Sequence, residues 1–268
     1  MPQTVLITGS SSGIGEATAL LFHQRGWNVI ATMRNPGERK TRLHEIDAIE
    51  KIHLDVLDTA SMDAALEQAL AKFSRIDVLV NNAGYGLVGP FEASTPEQIR
   101  RQFDTNLFGL MELTRRILPH FRENRHGTLI NVASIGGRLT FPLYSLYHGT
   151  KWALEGFSES LQHELRPFGI RVKIIEPGPI KTDFYDRSME IMRNDELTIY
   201  DEFVTRRMKN MTRSVTLGLQ PRAVAKTIVR AASTRSWKLR YPVGSMGMLV
   251  MRRLLPDRLF NGIIRLAT

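Results

Sequence analysis

The sequence contains no cysteine, and it has no long uninterrupted run of apolar residues. Without thiols the chain cannot form disulfide bonds, thiolate metal sites or a cysteine nucleophile, and this composition fits a reducing compartment. No segment approaches the ~18 consecutive apolar residues that a membrane-spanning helix needs. The first apolar strand begins within a few residues of Met1, which leaves no basic and apolar regions of a signal peptide. We therefore expect a cytoplasmic protein without a transmembrane segment.

Patterns typical of metal and nucleic-acid sites are also missing. The seven histidines show none of the spacings that metal ligands adopt, so we expect no metal ion. The net charge of +9 comes from Arg and Lys residues that are scattered over predicted helices rather than gathered in one dense tract. A scattered basic surface favours solubility and weak attraction of anions. We therefore expect a small-molecule substrate and no nucleic-acid partner.

Short apolar strands alternate with segments of helical periodicity along the whole chain. The predicted strands are 4–7, 29–31, 52–54, 78–80, 129–132, 172–175 and 239–241. The predicted helices are 13–25, 60–73, 96–124, 145–166 and 221–234. A chain of 268 residues with 43% hydrophobic residues suits one α/β domain. The alternation therefore predicts a single domain over residues 1–268, with a doubly wound (Rossmann) parallel sheet of about seven strands and helices on both faces.

A glycine-rich segment follows the first strand and opens the first helix. Gly9, Gly13 and Gly15 stand in the segment GSSSGIG, between the strand at 4–7 and the helix that starts at 13. Free backbone N–H groups and the positive end of the helix dipole attract phosphate at such a turn, and glycine lets the ligand approach the backbone closely. We therefore expect a dinucleotide pyrophosphate at this loop.

Tyr147 and Lys151 lie one helical turn apart on the predicted helix 145–166. A phenol has an unperturbed pKa near ~10, so it exchanges a proton near neutral pH only if a nearby positive charge favours its phenolate. Lys151 supplies that charge. A tyrosine and a lysine at this spacing are also a common surface pair, so the pair gains its meaning from the phosphate loop that precedes it.

These motifs, in their order along the chain, resemble those of the short-chain dehydrogenase/reductase family. The family's glycine motif TGxxxGxG is matched by Thr8, Gly9, Gly13 and Gly15, and its NNAG motif is matched by residues 81–84. Its catalytic tetrad falls on Asn106, Ser134, Tyr147 and Lys151. The resemblance implies an oxidoreductase in which a nicotinamide cofactor carries the hydride.

The four side chains have the chemistry that this family role requires. Ser134 can hydrogen-bond a substrate oxygen, and Tyr147 can exchange its proton. Lys151 can favour the phenolate while its remaining donors reach the ribose hydroxyls of the cofactor. The resemblance implies that Asn106 holds a water molecule in the proton path beneath Lys151.

The predicted cofactor contacts follow several different strands. Ligands of open parallel sheets bind beyond the carboxyl ends of the strands, so we expect these residues to form one site. The resemblance implies that Asp55 meets the adenine amino group and that the segment 177–182 closes over the nicotinamide carboxamide. The predicted contacts are Gly9, Ser11, Ser12, Gly13, Ile14, Gly15, Arg34, Asp55, Asn82, Ala83, Gly84, Tyr147, Lys151, Pro177, Gly178, Ile180 and Thr182.

The end of the second strand bears on the choice between NAD and NADP. An NAD-preferring enzyme of this type carries an acidic residue there, which accepts both ribose hydroxyls. Met33 occupies that place, and Arg34 follows it. A guanidinium can pair with a 2′-phosphate in a fork geometry, whereas a carboxylate would repel it. The sequence therefore predicts NADP(H).

Residues 182–214 form an insertion between the sixth predicted strand and the helix at 221–234, and they contain neither Gly nor Pro. The segment carries many apolar residues, so it is either a lid over the substrate or a pair of helices packed on the core. We expect the substrate pocket to be mostly uncharged, with walls formed by Leu87, Val88, Phe91, Phe141, Leu143 and the apolar side of 182–214. Such a pocket predicts a lipophilic ketone or secondary alcohol, and segments 32–36 and 177–182 resemble those of steroid and retinol dehydrogenases.

Two other functions compete with this interpretation. The segment GSSSG also satisfies GxSxG, the nucleophile elbow of α/β-hydrolases, with Ser11 as the nucleophile. That triad needs a histidine downstream in the order Ser, Asp, His, and the last histidine is His163, inside a predicted helix. A non-catalytic NADP sensor of the same fold is the second alternative.

The resemblance implies a homodimer or homotetramer built partly on the helices at 96–124 and 145–166.

Overall fold

The computed structural model of the chain describes residues 2–38, 40–182 and 188–267. Nine strands occur in these residues, and seven of them form one parallel sheet in the order β3-β2-β1-β4-β6-β7-β9. In chain order the strands are β1 Thr4–Ile7, β2 Asn28–Met33, β3 Ile49–His53, β4 Val78–Asn81, β5 Gly86–Val88, β6 Gly127–Val132, β7 Ile170–Pro177, β8 Met189–Ile191 and β9 Arg240–Val243. The predicted seven-stranded doubly wound sheet is confirmed.

Helices cover both faces of this sheet because its strands are apolar on both sides. Val5 and Ile7 of β1 belong to a buried cluster with the helices that start at 13 and 221, whereas Leu6 belongs to a second cluster with those that start at 59, 109 and 145. The helices are α1 Gly13–Gln24, α2 Thr59–Phe73, α3 Pro96–Phe103, α4 Gly109–Glu123, α5 Ser145–Leu165, α6 Asp201–Thr216, α7 Pro221–Ser233, α8 Met246–Leu254 and α9 Asp257–Ala267.

The strand order reverses at β1, which has β2 on one side and β4 on the other. Where the segments that follow two adjacent strands turn toward opposite faces of the sheet, a crevice forms at the carboxyl ends of those strands. The glycine loop leaves β1 toward α1, and residues 82–84 leave β4. The fold therefore places these two segments at the mouth of one crevice.

The predicted helix at 96–124 is divided in the structure. Helix α3 ends at Phe103, a π-helical turn spans Asp104–Phe108, and α4 continues from Gly109. A π-turn inside a helix is uncommon and occurs frequently at functional sites. Asn106 is in the middle of this turn, so the irregular geometry coincides with one of the predicted tetrad residues.

Residues 183–187 of the insertion at 182–214 lie outside the described residues. Its described part contains strand β8, a short turn of 3₁₀ helix at Thr198–Tyr200 and helix α6. Strand β8 pairs in parallel with β5 in a separate two-stranded sheet. Strands of three residues are too short to give a periodic pattern, which is why neither β5 nor β8 was predicted.

The structure also contains two helices near the C-terminus, α8 and α9, that the sequence pattern did not predict. The segment after β9 packs Phe260 against Ile135 and Leu139 in a small buried cluster near the end of β6. Across the described ranges, none of the helices has the length and apolar character that a membrane crossing needs.

Candidate active site

A cavity of about 940 Å³ lies at the carboxyl ends of β1, β2, β3, β4, β6 and β7. Its wall contains most of the predicted cofactor contacts together with Ser134, Tyr147 and Lys151. The predicted residues in the wall are Gly9, Ser11, Ser12, Gly13, Ile14, Arg34, Asp55, Asn82, Ala83, Gly84, Ser134, Tyr147, Lys151, Pro177, Gly178, Ile180 and Thr182. Gly15 and Asn106 are the two predicted site residues that do not line it.

The glycine loop needs its glycines for two different reasons. Gly9 and Gly13 have φ angles of +66° and +58°, a backbone conformation that other residues rarely adopt. Gly15 has no such angle, but a Cβ atom added to it would lie 2.3 Å from the Gly9 carbonyl oxygen and 2.7 Å from Nδ2 of Asn82. Gly15 therefore allows α1 to pack closely behind the loop, and it does not face the cavity.

Asn82 and Thr8 hold the loop in place across the two central strands. The Asn82 side-chain amide donates to the carbonyl oxygens of Thr8 (2.9 Å) and Gly9 (3.1 Å). The Thr8 hydroxyl accepts from the backbone N–H groups of Asn82 and Ala83, both at 3.0 Å. These bonds connect the end of β1 to the end of β4, so the loop is fixed by hydrogen bonds before any ligand binds.

A buried chain of side-chain hydrogen bonds connects the sheet to α5, which carries Tyr147. Asn81 donates to Oδ1 of Asn131 at 3.0 Å, and Asn131 donates to the hydroxyl of Ser158 at 2.9 Å. All three residues are buried. Buried polar groups that satisfy one another fix the relative position of the elements they join. The sequence analysis missed Asn131 and Ser158, because isolated polar residues in apolar segments have no motif to mark them.

Ser134 follows β6 and forms the N-cap of a 3₁₀ turn at Ile135–Gly137. Its hydroxyl accepts from the backbone N–H of Gly136 at 3.0 Å, which leaves the hydroxyl proton to donate. Ser134 also lines the cavity. The side chain therefore has a capping role and a position in the candidate site at the same time.

Lys151 reaches the cavity from the first turns of α5 and is only 7% exposed. Its ammonium donates to the carbonyl oxygen of Val132 at 2.9 Å and lies 5.7 Å from the centre of the Tyr147 ring. Burial lowers the pKa of Lys151 to about 8, while the nearby carboxylate of Glu155 acts in the opposite direction. Lys151 therefore remains mostly protonated at neutral pH and places a positive charge beside the phenol.

Asn106 is buried in the π-turn, and its side chain bonds to the backbone that follows Gly84. Its Oδ1 accepts from the N–H of Tyr85 at 3.0 Å, and its Nδ2 donates to the carbonyl oxygen of Tyr85 at 2.8 Å. Nδ2 also approaches the hydroxyl of Thr150 on α5 at 3.4 Å. The side chain thus connects the end of β4 to α5, and its role toward a water molecule stays a prediction.

Tyr144 and His148 are two further aromatic residues in the cavity wall, and the sequence analysis did not assign either to the site. Their rings stack with centres 5.4 Å apart, and the Tyr144 ring lies 6.0 Å from that of Tyr147. Burial lowers the pKa of His148 to about 4, so this histidine is neutral at neutral pH. Its Nδ1 accepts from the N–H of Phe141 at 3.3 Å. The remaining ring nitrogen therefore carries the proton.

The opposite end of the cavity contains Arg34 and Asp55, which follow β2 and β3. The Arg34 side chain is exposed, and its guanidinium forms no ion pair with any residue that the structure describes. Oδ1 of Asp55 accepts from the N–H of Leu57 at 3.0 Å. The N-cap of α2 is Asp58, so Asp55 is not the cap of that helix. Both side chains are available to a ligand at this end.

The segment after β7 lies across the glycine loop. The Thr182 side chain would come within 3.5 Å of a Cβ atom added to Gly13. The N–H of Gly178 donates to the carbonyl oxygen of Val243 at 2.9 Å, and Ile180 forms an isolated bridge with Leu219. The first part of this segment is therefore held by β9 and by the turn before α7, and its Thr182 end faces the loop.

The predicted walls of the substrate pocket are wrong at Leu87, Val88, Phe91 and Leu143, whereas apolar residues of the insertion, Met189 and Met211, do line the cavity. Leu87 and Val88 are buried in β5, and Phe91 is 57% exposed. Leu143 lines a separate small hollow. Phe141 does line the cavity. The other wall residues on this side are Tyr85, Arg101, Tyr144, Met189, Glu190, Arg207, Asn210, Met211, Leu217 and Met248.

Three of these wall residues, Arg101, Glu190 and Arg207, are charged, although the sequence analysis expected a mostly uncharged pocket. Their positions depend on the β5–β8 pairing and on the orientation of α6. Neither was readable from the sequence pattern.

The geometry does not support the hydrolase alternative for Ser11. His148 is the histidine among the described cavity-lining residues. It lies beside Gly136, where a Cβ atom would be 3.0 Å from its Nε2 and 3.3 Å from the Ser134 hydroxyl. A catalytic base must offer a free ring nitrogen to its nucleophile, and Nδ1 of His148 already accepts from the N–H of Phe141.

Comparison with known proteins identifies relatives of the whole chain. Residues 3–191 match the model of the short chain dehydrogenase family. A 3-ketodihydrosphingosine reductase of Bacteroides thetaiotaomicron is 33% identical over 269 residues, which cover 99% of this chain and 97% of that protein. The structure of a short-chain dehydrogenase from Streptomyces avermitilis superposes with a TM-score of 0.82 at 34% identity, covering 98% of this chain and 92% of that one.

Two other similar structures contain different cofactors. A 3-ketoacyl-(acyl-carrier-protein) reductase from Brucella melitensis in complex with NADH has a TM-score of 0.75 at 28% identity, covering 90% of this chain and 97% of that one. A serine dehydrogenase in complex with NADP⁺ has a TM-score of 0.75 at 29% identity, covering 90% of this chain and 93% of that one. The relatives therefore bind either nicotinamide nucleotide.

Proposed function

Because the chain belongs to the short-chain dehydrogenase/reductase family and is thus an oxidoreductase with a nucleotide-binding fold, we propose that it transfers a hydride between NADP(H) and a lipophilic carbonyl compound or secondary alcohol. One observation carries the proposal. Tyr147, Lys151 and Ser134 stand in the wall of the same cavity as the glycine loop. A proton-transfer group and a phosphate-binding loop thus share one space.

The residues of the cavity fit a dinucleotide. The positive φ angles of Gly9 and Gly13 leave the loop open to a close approach by phosphate, at the N-terminus of α1. Lys151 has ammonium protons left after its bond to Val132, and these can donate to ribose hydroxyls. When it is bound, the nicotinamide supplies the hydride. The protein contributes the orientation of the groups and the proton.

Ser134 and Tyr147 act on the substrate oxygen. The Ser134 hydroxyl can donate to that oxygen, because it acts as an acceptor toward Gly136 and keeps its own proton for donation. In the reductive direction Tyr147 gives its proton to the oxygen, and in the oxidative direction it takes one. The charge of Lys151, 5.7 Å from the ring centre, favours the phenolate that remains after proton donation. Asn106 supports this arrangement by holding the chain after Gly84 against α5.

Arg34 supports the preference for NADP(H). It is exposed at the cavity wall and has no carboxylate partner among the described residues, so it is available to a 2′-phosphate. Met33 stands where an acidic residue would otherwise accept the ribose hydroxyls. We expect Arg34→Ala to raise the KM for NADPH about tenfold or more, because a charge-assisted hydrogen bond contributes about 1.5–3 kcal/mol, and to leave the KM for NADH nearly unchanged.

The control for that variant is Arg25→Ala. Arg25 is an exposed arginine just after α1 that does not line the cavity. This variant removes the same charge at the end of α1 that is remote from the glycine loop, so it should leave both KM values unchanged. A wild-type protein that prefers NADH would contradict the assignment of Arg34.

The substrate side supports a lipophilic carbonyl compound. Apolar and aromatic side chains such as Met189, Met211 and Phe141 form much of this wall. The relative that reduces 3-ketodihydrosphingosine supports a ketone of lipid character. We propose that the insertion at 182–214 covers this substrate, because Met211 of α6 receives a hydrogen bond from the hydroxyl of Tyr144.

The surface supports an oligomer. Phe108 in the π-turn and Trp152 on α5 are 54% and 46% exposed. Exposed large apolar residues on neighbouring helices suit burial against a second subunit. We propose a homodimer or homotetramer that uses these helices. We also propose a cytoplasmic location, because a chain without cysteine forms no disulfide bonds and therefore does not depend on an oxidising compartment.

The test of the proposed function compares Tyr147→Phe with Tyr241→Phe. Each change removes one phenolic hydroxyl. The Tyr147 hydroxyl is the proposed proton donor, so its loss should lower kcat about 100-fold to 10,000-fold with little change in NADPH binding. The Tyr241 hydroxyl is buried without a hydrogen-bond partner, so its loss should leave kcat and stability nearly unchanged.

The measurement is oxidation of NADPH with a panel of lipophilic ketones, followed by absorbance, together with NADPH binding by fluorescence. Equal activity of Tyr147→Phe and wild type would overturn the assigned role of Tyr147. Tight NADPH binding with no turnover of any ketone would instead favour the alternative of a cofactor sensor.

A further inference from the structure

The wall of the cavity formed by α6 and β8 carries charged side chains that the proposed hydride transfer does not use. Glu190 and Arg101 form an ion pair, and Gln98 donates to the other oxygen of Glu190 at 2.9 Å. Nε of Arg101 donates to the hydroxyl of Tyr85 at 3.3 Å, and its guanidinium lies 5.2 Å from the centre of the Tyr85 ring. The charges of Arg101 and Glu190 therefore compensate each other.

Arg207 has no such compensation. It forms no ion pair with a described residue, and its Nε is buried without any hydrogen-bond partner. Its guanidinium lies 5.0 Å from the centre of the Phe203 ring, which stabilises the cation without using its N–H donors. A charged group that lacks an opposite charge is less stable than a paired one when it is partly buried. An anion in the cavity would supply the missing charge.

The position of Arg207 places it close to the proposed reaction centre. Arg207 and Met211 are four residues apart on α6, so they lie on the same face with a rise of about 6 Å between them. Met211 accepts the hydrogen bond from Tyr144, whose ring centre is 6.0 Å from that of Tyr147. Both Arg207 and Tyr147 line the same cavity. One substrate can therefore contact both residues.

We propose that the substrate is a lipophilic carbonyl compound with a carboxylate group, and that Arg207 binds this carboxylate while Tyr147 serves the carbonyl. This inference rests on the proposed oxidoreductase function and specifies its substrate class. A guanidinium binds a carboxylate through two parallel hydrogen bonds, and the terminal amino groups of Arg207, which lines the cavity, have no ion-pair partner among the described residues. The cofactor phosphates belong to the glycine loop and Arg34, so they do not compete for Arg207. A substrate with a cationic group would be repelled at the same place.

The experiment uses keto acids of increasing chain length, each with its methyl ester and its primary amine analogue. These three probes share the carbonyl group and the apolar chain and differ only in charge. For the best chain length, wild type should turn over the acid with a kcat/KM at least about tenfold above that of the ester, and the amine should be the poorest. Arg207→Gln should remove this preference by lowering kcat/KM for the acid while leaving the ester within twofold.

Two variants serve as controls. Arg206→Gln removes the neighbouring exposed charge on α6 and should retain the preference for the acid, because Arg206 does not line the cavity. Arg207→Lys keeps the charge without the fork and should restore part of the preference. Far-ultraviolet circular dichroism and the KM for NADPH report whether each variant is folded and binds cofactor.

The outcomes separate this inference from the proposed function. Turnover of the ester at the same kcat/KM as the acid, or an equal loss for both in Arg207→Gln, would overturn the role of Arg207 and leave the reductase activity intact. If no probe is turned over, the proposed function fails. Calorimetric binding of acid and ester to wild type and Arg207→Gln then decides the pairing without turnover, and equal affinities would refute it.

Discussion

The two ends of the cavity are built in different ways. At the cofactor end, the glycine loop is held by backbone groups and by the short side chains of Thr8 and Asn82, through hydrogen bonds of 2.9–3.1 Å. At the substrate end, the wall consists of long side chains such as Met189, Arg207 and Met211. Short side chains with few rotamers fix one geometry, whereas methionine adapts its shape to the ligand. The comparison indicates a rigid nucleotide site next to an adaptable substrate site.

The first prediction tests the rigidity of the cofactor end with two glycine substitutions in helices. In Gly15→Ala the new Cβ would lie 2.3 Å from the Gly9 carbonyl oxygen, so the loop must shift. We expect a loss of about 1–3 kcal/mol in the free energy of unfolding and cofactor binding weaker by about 100-fold, which corresponds to roughly 2.7 kcal/mol.

Gly262→Ala is the matched control, because a Cβ atom at Gly262 on α9 has nothing within 4 Å. Alanine is favoured over glycine inside a helix by about 1 kcal/mol, so this variant should be slightly more stable and bind NADPH normally. Denaturant unfolding and fluorescence titration measure the two quantities. Normal binding in Gly15→Ala would show that the loop is adaptable, contrary to the comparison.

The second prediction tests the substrate end. Met211→Ala removes the side chain that contacts Tyr144. It should raise the KM for lipophilic ketones about tenfold, because a lost apolar contact costs about 1–3 kcal/mol. The affinity for NADPH should stay unchanged. Met246→Ala, at a residue that is 58% exposed and outside the cavity wall, is the control and should change neither constant. Weaker NADPH binding in Met211→Ala would indicate that the two ends are mechanically coupled.

The third and smallest predicted effect concerns Glu155, whose charge acts on Lys151, a residue of the cavity wall. Glu155 is buried one turn after Lys151, and its carboxylate raises the pKa of that lysine against the effect of burial. Other charged groups around Glu155 are Glu159 on α5, Glu176 on β7, Arg138 and Arg240. Glu155→Gln should therefore lower the pKa of Lys151 below its value of about 8.

The kinetic consequence is a shift of the alkaline limb of the pH profile of kcat to lower pH, because Lys151 loses its proton at a lower pH. Glu159→Gln is the control. It also removes a carboxylate that pairs with Arg240, but Glu159 is half-exposed and is not among the groups that affect Lys151. An unchanged alkaline limb in Glu155→Gln would show that Glu155 pairs with Arg240 but does not affect the pKa of Lys151.

Stability gives an independent check on Glu155. Burial and the neighbouring Glu176 raise the pKa of Glu155 from 4.5 to about 7 in the folded protein. The folded state therefore binds the proton more tightly than the unfolded state, so this contribution to stability is present below pH 4.5 and is lost as the pH rises through about 7. In Glu155→Gln this loss of stability with rising pH should disappear. Thermal unfolding of the variant and of wild type at pH 5 and pH 8 measures the difference.

Sequence periodicity was sufficient for the main elements of the fold, because buried parallel strands and amphipathic helices repeat an apolar pattern over many residues. The strands β1, β4 and β6 and the helices α1, α2, α5 and α7 lie within a few residues of their predicted positions. The π-turn at Asp104–Phe108 and the three-residue strands β5 and β8 were not predictable. A π-turn has helical composition, and a strand of three residues has too few positions to show a period.

The local motifs of the sequence were sufficient to identify the family and to predict that the glycine loop, Ser134, Tyr147 and Lys151 share one site, because each motif consists of residues that are close in the chain. Tertiary structure alone decided that His148 is a buried neutral histidine, that Asn106 bonds to the backbone of Tyr85, and that Leu87 and Val88 lie in the core rather than in the pocket. It also decided that Arg207 lines the cavity without an ion pair to any described residue. These properties depend on burial and on contacts between distant segments, and burial is the physical quantity that a local sequence pattern does not contain.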